Sequence, residues 1–253
     1  MSAPPKTVLT ATPQEENAIR AAVREANPDG LGPFRVVAGE AHAEALLDLL
    51  SDPAVSDPIY DLPRPLTLES VATWIARAQD ERARGEGLLV LTQAPEGQVM
   101  GYSKITVWPD RASAELAGAL RAGLQGSGAG GAGATHTIGW IFRELKVRLV
   151  CLTAALDNER STRLIDRMGF RRLGEREATR PDRTTRRSHY WEMTREEWGE
   201  GGGSLRITVG FTKRRKLRRE YPLNRWYKLR FFGPVCLFSS MASVLGLVRI
   251  GHL

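Results

Sequence analysis

Cysteine is scarce in this chain. Two residues in 253, Cys151 and Cys236, are too few and too far apart for a disulfide framework. No C-x-x-C pair and no Cys/His cluster occurs, so a zinc site is excluded on spacing. Histidine is equally thin: His42, His136 and His189 are scattered, and no metal site is expected. The first twenty residues, MSAPPKTVLTATPQEENAIR, lack the apolar core of a secretory signal. These absences point to a reducing, cytoplasmic setting. Internal repeats of 20–50 residues are also missing, which excludes a solenoid. What remains is ordinary for a soluble globular protein: 42% hydrophobic and 26% charged residues.

The formal charge of +7 is unevenly spread. Residues 201–253 carry eleven Lys/Arg against one acid, whereas residues 1–200 are slightly acidic. A nearly neutral body with a basic tail suggests two jobs. In the tail, TKRRKLRRE is followed by NRWYKLR and then by FFGPVCLFSSMASVLGLV, eighteen residues without a charge (231–248). That length is at the threshold for a membrane span, with basic and aromatic residues before it. Four readings of the tail stay open: membrane association through a single transmembrane helix, a polybasic segment on RNA or anionic lipid, contact with a protein complex, or a non-native extension. The organisation expected is an N-terminal extension (1–33), a body (34–199), a glycine linker with a basic segment (200–230) and the apolar segment 231–248.

Periodicity assigns the body's elements. A short helix is expected in TPQEENAIRAAVREAN, then a strand in FRVV (34–37) and an amphipathic helix over 40–52 with Ala43, Leu46, Leu47 and Leu50 on one face. A proline-broken loop (53–66) leads to a helix over 67–86, capped by Thr67 with a Glu about three positions on. GLLVLTQ and VMGYSKITV read as a hairpin, and ASAELAGAL (112–120) as a further strand. A helix from about Gly133 to Leu145, a buried strand (147–156) containing Cys151 as a structural thiol, a short helix (158–170) ending at Gly169, and two strands around a basic loop complete the order. Such alternation means an α/β (α+β) domain on one central, mixed sheet.

Between the strand at 112–120 and the next helix lies AGLQGSGAGGAGA, an expensive run of glycine for a folded domain. A flexible surface loop is one reading, although strand-to-helix connections are normally about 2–6 residues. A dinucleotide fold is another, because Gly126, Gly128 and Gly131 fit G-x-G-x-x-G and Asp157 follows a strand. It fails for want of further βα repeats. The third reading is a pyrophosphate cradle at a helix N-terminus, built by Gln125, Gly128 and Gly130 as Q-x-x-G-x-G. No Walker lysine follows, which argues against an NTPase.

Q-x-x-G-x-G resembles the coenzyme A signature of the GNAT superfamily of acyl-CoA-dependent N-acetyltransferases. LDNERSTRLIDRMGFRRLGE, with Asn158, Ser161, Gly169 and Phe170, is similar to that superfamily's second signature. SDPAV and TREEW extend the likeness, which covers roughly 34–198 and is strongest to the branch that includes ribosomal-protein N-terminal acetyltransferases. The resemblance implies the GNAT fold, a central mixed, mostly antiparallel sheet flanked by helices. It implies acetyl-CoA as co-substrate, held by Leu120, Gln125, Gly126, Ser127, Gly128, Ala129, Gly130, Gly131, Asn158 and Ser161. The acceptor would be a primary amine, on a protein N-terminus or a small molecule, acetylated directly. Glu115 is the candidate general base and Asn158 the second catalytic candidate. A bulge near Ala119 and Leu120 would free a backbone N–H for the thioester carbonyl.

The sequence departs from the family in one helix. Where many members place a tyrosine acid, Leu164 and Ile165 stand, leaving Tyr102, Tyr190 or water to protonate the thiolate. That departure keeps an alternative open: a non-catalytic GNAT-like accessory subunit, held on a membrane or ribonucleoprotein by its tail. Loop 53–66 and the basic loop 176–187 are expected to frame the acceptor.

Overall fold

The computed structural model describes residues 3–59, 61–126, 128–179 and 184–202. Every expectation about the tail from 203 onward, and about Ser127, lies outside these residues. Among the described residues no helix is long and apolar enough to cross a membrane.

Seven strands form one sheet in the order β1-β2-β3-β4-β5-β7-β6. They are β1 (Arg35–Val37), β2 (Gly87–Gln93), β3 (Val99–Trp108), β4 (Ser113–Leu120), β5 (Leu149–Ala155), β6 (Arg171–Thr179) and β7 (Thr185–Thr194). All neighbours are antiparallel except β4 and β5, which run parallel. A parallel pair needs a crossover, and helix α5 (Ala129–Glu144) supplies it. The remaining α-helices among the described residues are α1 (Pro13–Glu25), α2 (Ala43–Leu50), α3 (Pro53–Ser56), α4 (Leu68–Arg84), α6 (Glu159–Arg167) and the single turn α7 (Arg195–Glu197).

Local chemistry sets the helix ends. Thr12 accepts from the Glu15 N–H and opens α1 with Pro13 in its first position. Thr67 opens α4 in a capping box whose partner is Ser70, not the glutamate expected from sequence. Gly85 closes α4 in the left-handed region. The proline-rich stretch after α2 is not all loop: Asp52 caps the single turn α3.

Two apolar cores lie on opposite faces of the sheet. On the first face, Leu88, Val90, Ile105, Val107, Ala114, Val150, Leu152, Trp191 and Met193 pack against α1, α5 and α6. On the second, Leu89, Leu91, Val99 and Tyr102 pack against α2, α3 and α4. Alternation along each strand produces this split. Residues 13–25, which the sequence places in an N-terminal extension, send Ile19 and Val23 into the first core, both fully buried. Trp140 on α5 is 1% exposed, so its truncation to alanine would cost about 3–5 kcal/mol.

Candidate active site

The geometry begins with β4 and β5. They pair only at Ser113↔Leu149, Ala114↔Val150 and Glu115↔Cys151. Beyond Glu115 the two strands part, although β4 continues to Leu120 and β5 to Ala155. Among the described residues, the β5-facing backbone groups of 116–120 therefore have no strand partner. Peptide N–H and C=O groups in this position need partners from elsewhere. The bulge implied near Ala119 and Leu120 is not there: the β3–β4 ladder runs unshifted from Trp108↔Ser113 to Gly101↔Leu120. The backbone groups are freed by strand divergence, on the other edge of β4.

At the open end of the wedge, the chain turns through residues 122–126 into α5. Gly126 and Gly128 have φ of +78° and +86°, a region that disfavours side chains, and an added Cβ would meet nothing at either. Gly128 is the N-cap and brings no side chain to the helix end. Helix α5 begins at Ala129, four residues before the start expected from sequence, so Gly130, Gly131 and Gly133 lie within its first turns. At Gly131 a Cβ would come within 3.0 Å of Leu164 on α6, so the missing side chain lets α5 and α6 approach. Open space beside an N-terminus of bare backbone fits a pyrophosphate. Leu120, Gln125, Gly126, Gly128, Ala129, Gly130 and Gly131 are thus gathered along one turn.

Gln125 ties this turn down. Its Nε2 donates to the Leu120 carbonyl at 2.8 Å, and its Oε1 accepts from Arg160 Nη1 at 2.6 Å. Arg160, which sequence reasoning passed over, thereby links α6 to the end of β4 across the mouth of the wedge. Asn158 caps α6: its Oδ1 accepts from the Ser161 N–H at 3.1 Å. This leaves the Asn158 amide NH2 to donate elsewhere. Ser161 is half-buried in the first turn. Asn158 and Ser161 follow β5, whereas the glycine turn follows β4, so the two motifs line opposite walls of the same wedge.

Glu115 stands at the point of divergence. It is 4% exposed, and Thr153 Oγ1 on β5 donates to its Oε1 at 3.2 Å. Alternation places it on the second face of the sheet with Ala117, Ala119, Cys151 and Thr153. Cys151 is buried opposite it. Burial, and then the Glu115 carboxylate, push the Cys151 thiol well above its ordinary pKa, so it is no nucleophile. On the β3 side, Lys104 pairs with Glu81 of α4. Burial also raises the carboxyl of Asp61, in the loop before α4.

The two candidate tyrosine acids are both buried. Tyr102 is buried edge-on against Trp74 at 5.4 Å, and burial, then Asp61, raise its pKa well above 10. Tyr190 donates to Glu192 Oε1 at 2.6 Å and accepts from the Lys6 N–H at 3.1 Å. Burial, above all, raises its pKa further. Leu164 and Ile165 face the first core, as their apolarity requires.

The framing loops behave differently from each other. Residues 176–179 and 185–187 are not loop but the ends of β6 and β7, lengthened by their register. Arg186 Nη1 donates to the Pro58 carbonyl at 3.0 Å and its Nη2 to Asp157 at 3.1 Å. It therefore joins loop 53–66 to the β5–α6 turn. His42, His136 and His189 are spread over three elements, and no metal-binding cluster occurs among the described residues.

Comparison with known proteins agrees with this geometry. The sequence profile of the acetyltransferase (GNAT) domain matches residues 34–171. No curated protein matches the chain in sequence. Among solved structures, the ribosomal-protein-S5-alanine acetyltransferase from Vibrio fischeri superposes with a TM-score of 0.56 at 13% identity, covering 65% of this chain and 93% of that one. RimJ from Mycobacterium smegmatis, solved in complex with CoA-disulfide, gives 0.55 at 16% identity over 64% and 82%. The ribosomal-protein-alanine N-acetyltransferase from Brucella melitensis gives 0.50 at 21% identity over 63% and 98%. At these identities the likeness is one of fold.

Proposed function

The chain belongs to the GNAT family of N-acetyltransferases, whose members use acetyl-CoA, and we propose that it moves the acetyl group directly to a primary amine, on a protein N-terminus or a small molecule. The observation that carries this reading is the parting of β4 and β5 after Glu115↔Cys151, with the glycine turn on one wall and Asn158 on the other. Gln125, Gly126, Gly128, Ala129, Gly130 and Gly131 hold the pyrophosphate through backbone N–H groups at the positive end of α5. Ser127 belongs to the same turn in sequence. Asn158 and Ser161 hold the pantetheine arm. Acetyl-CoA supplies an activated thioester there.

Glu115 takes the proton from the attacking amine, directly or through one water. Thr153 orients its carboxylate. N–H groups on the open, β5-facing edge of β4, at Gly118 and Leu120, polarise the acyl carbonyl. With Tyr190 bonded to Glu192, Tyr102 buried against Trp74, and Leu164 and Ile165 apolar, solvent protonates the departing thiolate. No covalent acetyl-enzyme forms, because Cys151 is buried with a raised pKa. On this reading residues 34–199 are the catalytic domain, and a buried free thiol fits a reducing cytoplasm.

The test is a transfer assay with radiolabelled acetyl-CoA and a panel of peptides and small amines, run on the wild type and Glu115→Gln. Turnover by the wild type, and acetyl-CoA binding without turnover by the variant, are expected. An unchanged rate in Glu115→Gln would remove the base assignment. Binding without turnover on any amine would remove the proposed reaction.

A further inference from the structure

The segment before α1 has no place in the family's matched span, which begins at residue 34. Yet residues 3–7 are bound along the second face of the sheet, while Ala11 already packs against the first core. Ala11 N–H donates to Asp110 O, and Arg148 Nη2 donates to Thr10 O at 2.8 Å, both near the start of β5. Thr7 N–H donates to Glu192 Oε1 at 3.0 Å, and Thr7 Oγ1 donates to Oε2. Lys6 N–H reaches Tyr190, and Lys6 Nζ donates to Leu173 O and Glu175 O at 2.8 and 2.9 Å. Arg176 donates to Ala3 O and Pro4 O and stacks 4.3 Å over the Tyr190 ring. Pro5 is buried between these anchors.

The sheet register orders these contacts. Glu192 is opposite Cys151, Tyr190 opposite Thr153, and Arg176 is opposite Ser188, which faces Ala155. The segment therefore climbs beside β5 from its closed end to the end where β4 and β5 part. Helices α2, α3 and α4 cover the second face over β1–β3. Over β7 and β6 this segment contacts it at Glu192, Tyr190 and Arg176, and loop 53–66 reaches Arg186 of β7. Between the two covers lies β4, with Glu115, Ala117 and Ala119 as its floor.

We propose that residues 3–10 form one wall of the acceptor cleft, opposite α4 and loop 53–66, so that recognition of a peptide acceptor depends on a segment outside the shared family domain. The proposal rests on the reading of the site given above. Glu192 is the positioning residue of the wall. It is fully buried, and its carboxylate is held by Thr7 and Tyr190. It lies two strands, about 10 Å, from Glu115. Thr7 thus fixes the wall's distance from the base. The coenzyme side, built from residues 120–131 and 158–161, makes no use of the segment.

The test uses full-length protein and two probes: coenzyme A, and coenzyme A joined through an acetyl linker to the amine of a peptide beginning with alanine. The wild type should bind the conjugate at least tenfold more tightly than coenzyme A. Thr7→Val and Lys6→Ala should erase most of that gain, leave coenzyme A affinity within twofold, and Thr7→Ser should restore it. If Thr7→Val fails to fold, Lys6→Ala carries the test alone. A gain unaffected in the variants, no gain in the wild type, or a parallel loss of coenzyme A affinity would overturn the proposal. If the wild type binds neither probe, it is the coenzyme site that fails.

Discussion

The two halves of the β4–β5 pair use similar residues to opposite ends. In the closed half, Ala114 pairs with Val150 in a core whose other members include Ile141 and Trp191, all buried. In the open half, residues 116–120 meet no strand on the β5 side among the described residues, Ala117 and Ala119 are half-buried, and Gly118 is exposed. The closed half supplies rigidity and the open half supplies a backbone edge without a strand partner, and space. Glu115 sits on the last paired position, so it is held by the one and exposed to the chemistry of the other. On the proposed reading, that division lets a buried carboxylate serve a ligand without being a defect in the core.

The comparison can be broken first at Glu115. Glu115→Gln should lower kcat by about 10²–10⁴-fold, the range of general base catalysis, in the steady-state assay, with acetyl-CoA affinity kept. Breaking the closed half should instead unfold the protein: Trp191→Ala ought to cost about 3–5 kcal/mol in a denaturant titration. In the open half, Gly128→Ala isolates strain from charge. Its φ of +86° costs a non-glycine residue about 1–2 kcal/mol, and no neighbour obstructs the Cβ. A modest loss of acetyl-CoA affinity should follow.

The smallest effect concerns Glu192 and acid. Burial pushes its carboxyl up, but the bonds from Thr7 and Tyr190 outweigh burial and hold it below its ordinary value of 4.5. A depressed folded pKa means that stability is fully present above the unfolded value and is lost as pH falls through the folded one. Glu192→Gln should therefore be less stable than the wild type at pH 7, and the gap should narrow below about pH 4.5 in acid titrations. A gap independent of pH would contradict this assignment of the charge.

Much of this was legible beforehand, for identifiable reasons. Element order followed from periodicity, and the motif around Gln125–Gly131 from its glycines. The start of α5 was misplaced because glycine is a poor helix former, and here tertiary packing overrides that preference. Helix α1 looked like an extension because its apolar residues are few, yet Ile19 and Val23 are wholly buried. Thr153, Arg160 and Glu192 were invisible. Each acts through a partner far away in sequence, as Arg160 does with Gln125 thirty-five positions earlier. Only the register of the sheet brings Thr7 to Glu192.

The most direct test of the central claim, that the wedge between β4 and β5 holds acetyl-CoA, is a calorimetric titration of acetyl-CoA into the protein and into Gly128→Glu. The expected result is micromolar binding to the wild type, abolished by a negative side chain at the glycine turn. No binding to a well-folded wild type, or equal binding to Gly128→Glu, would contradict it.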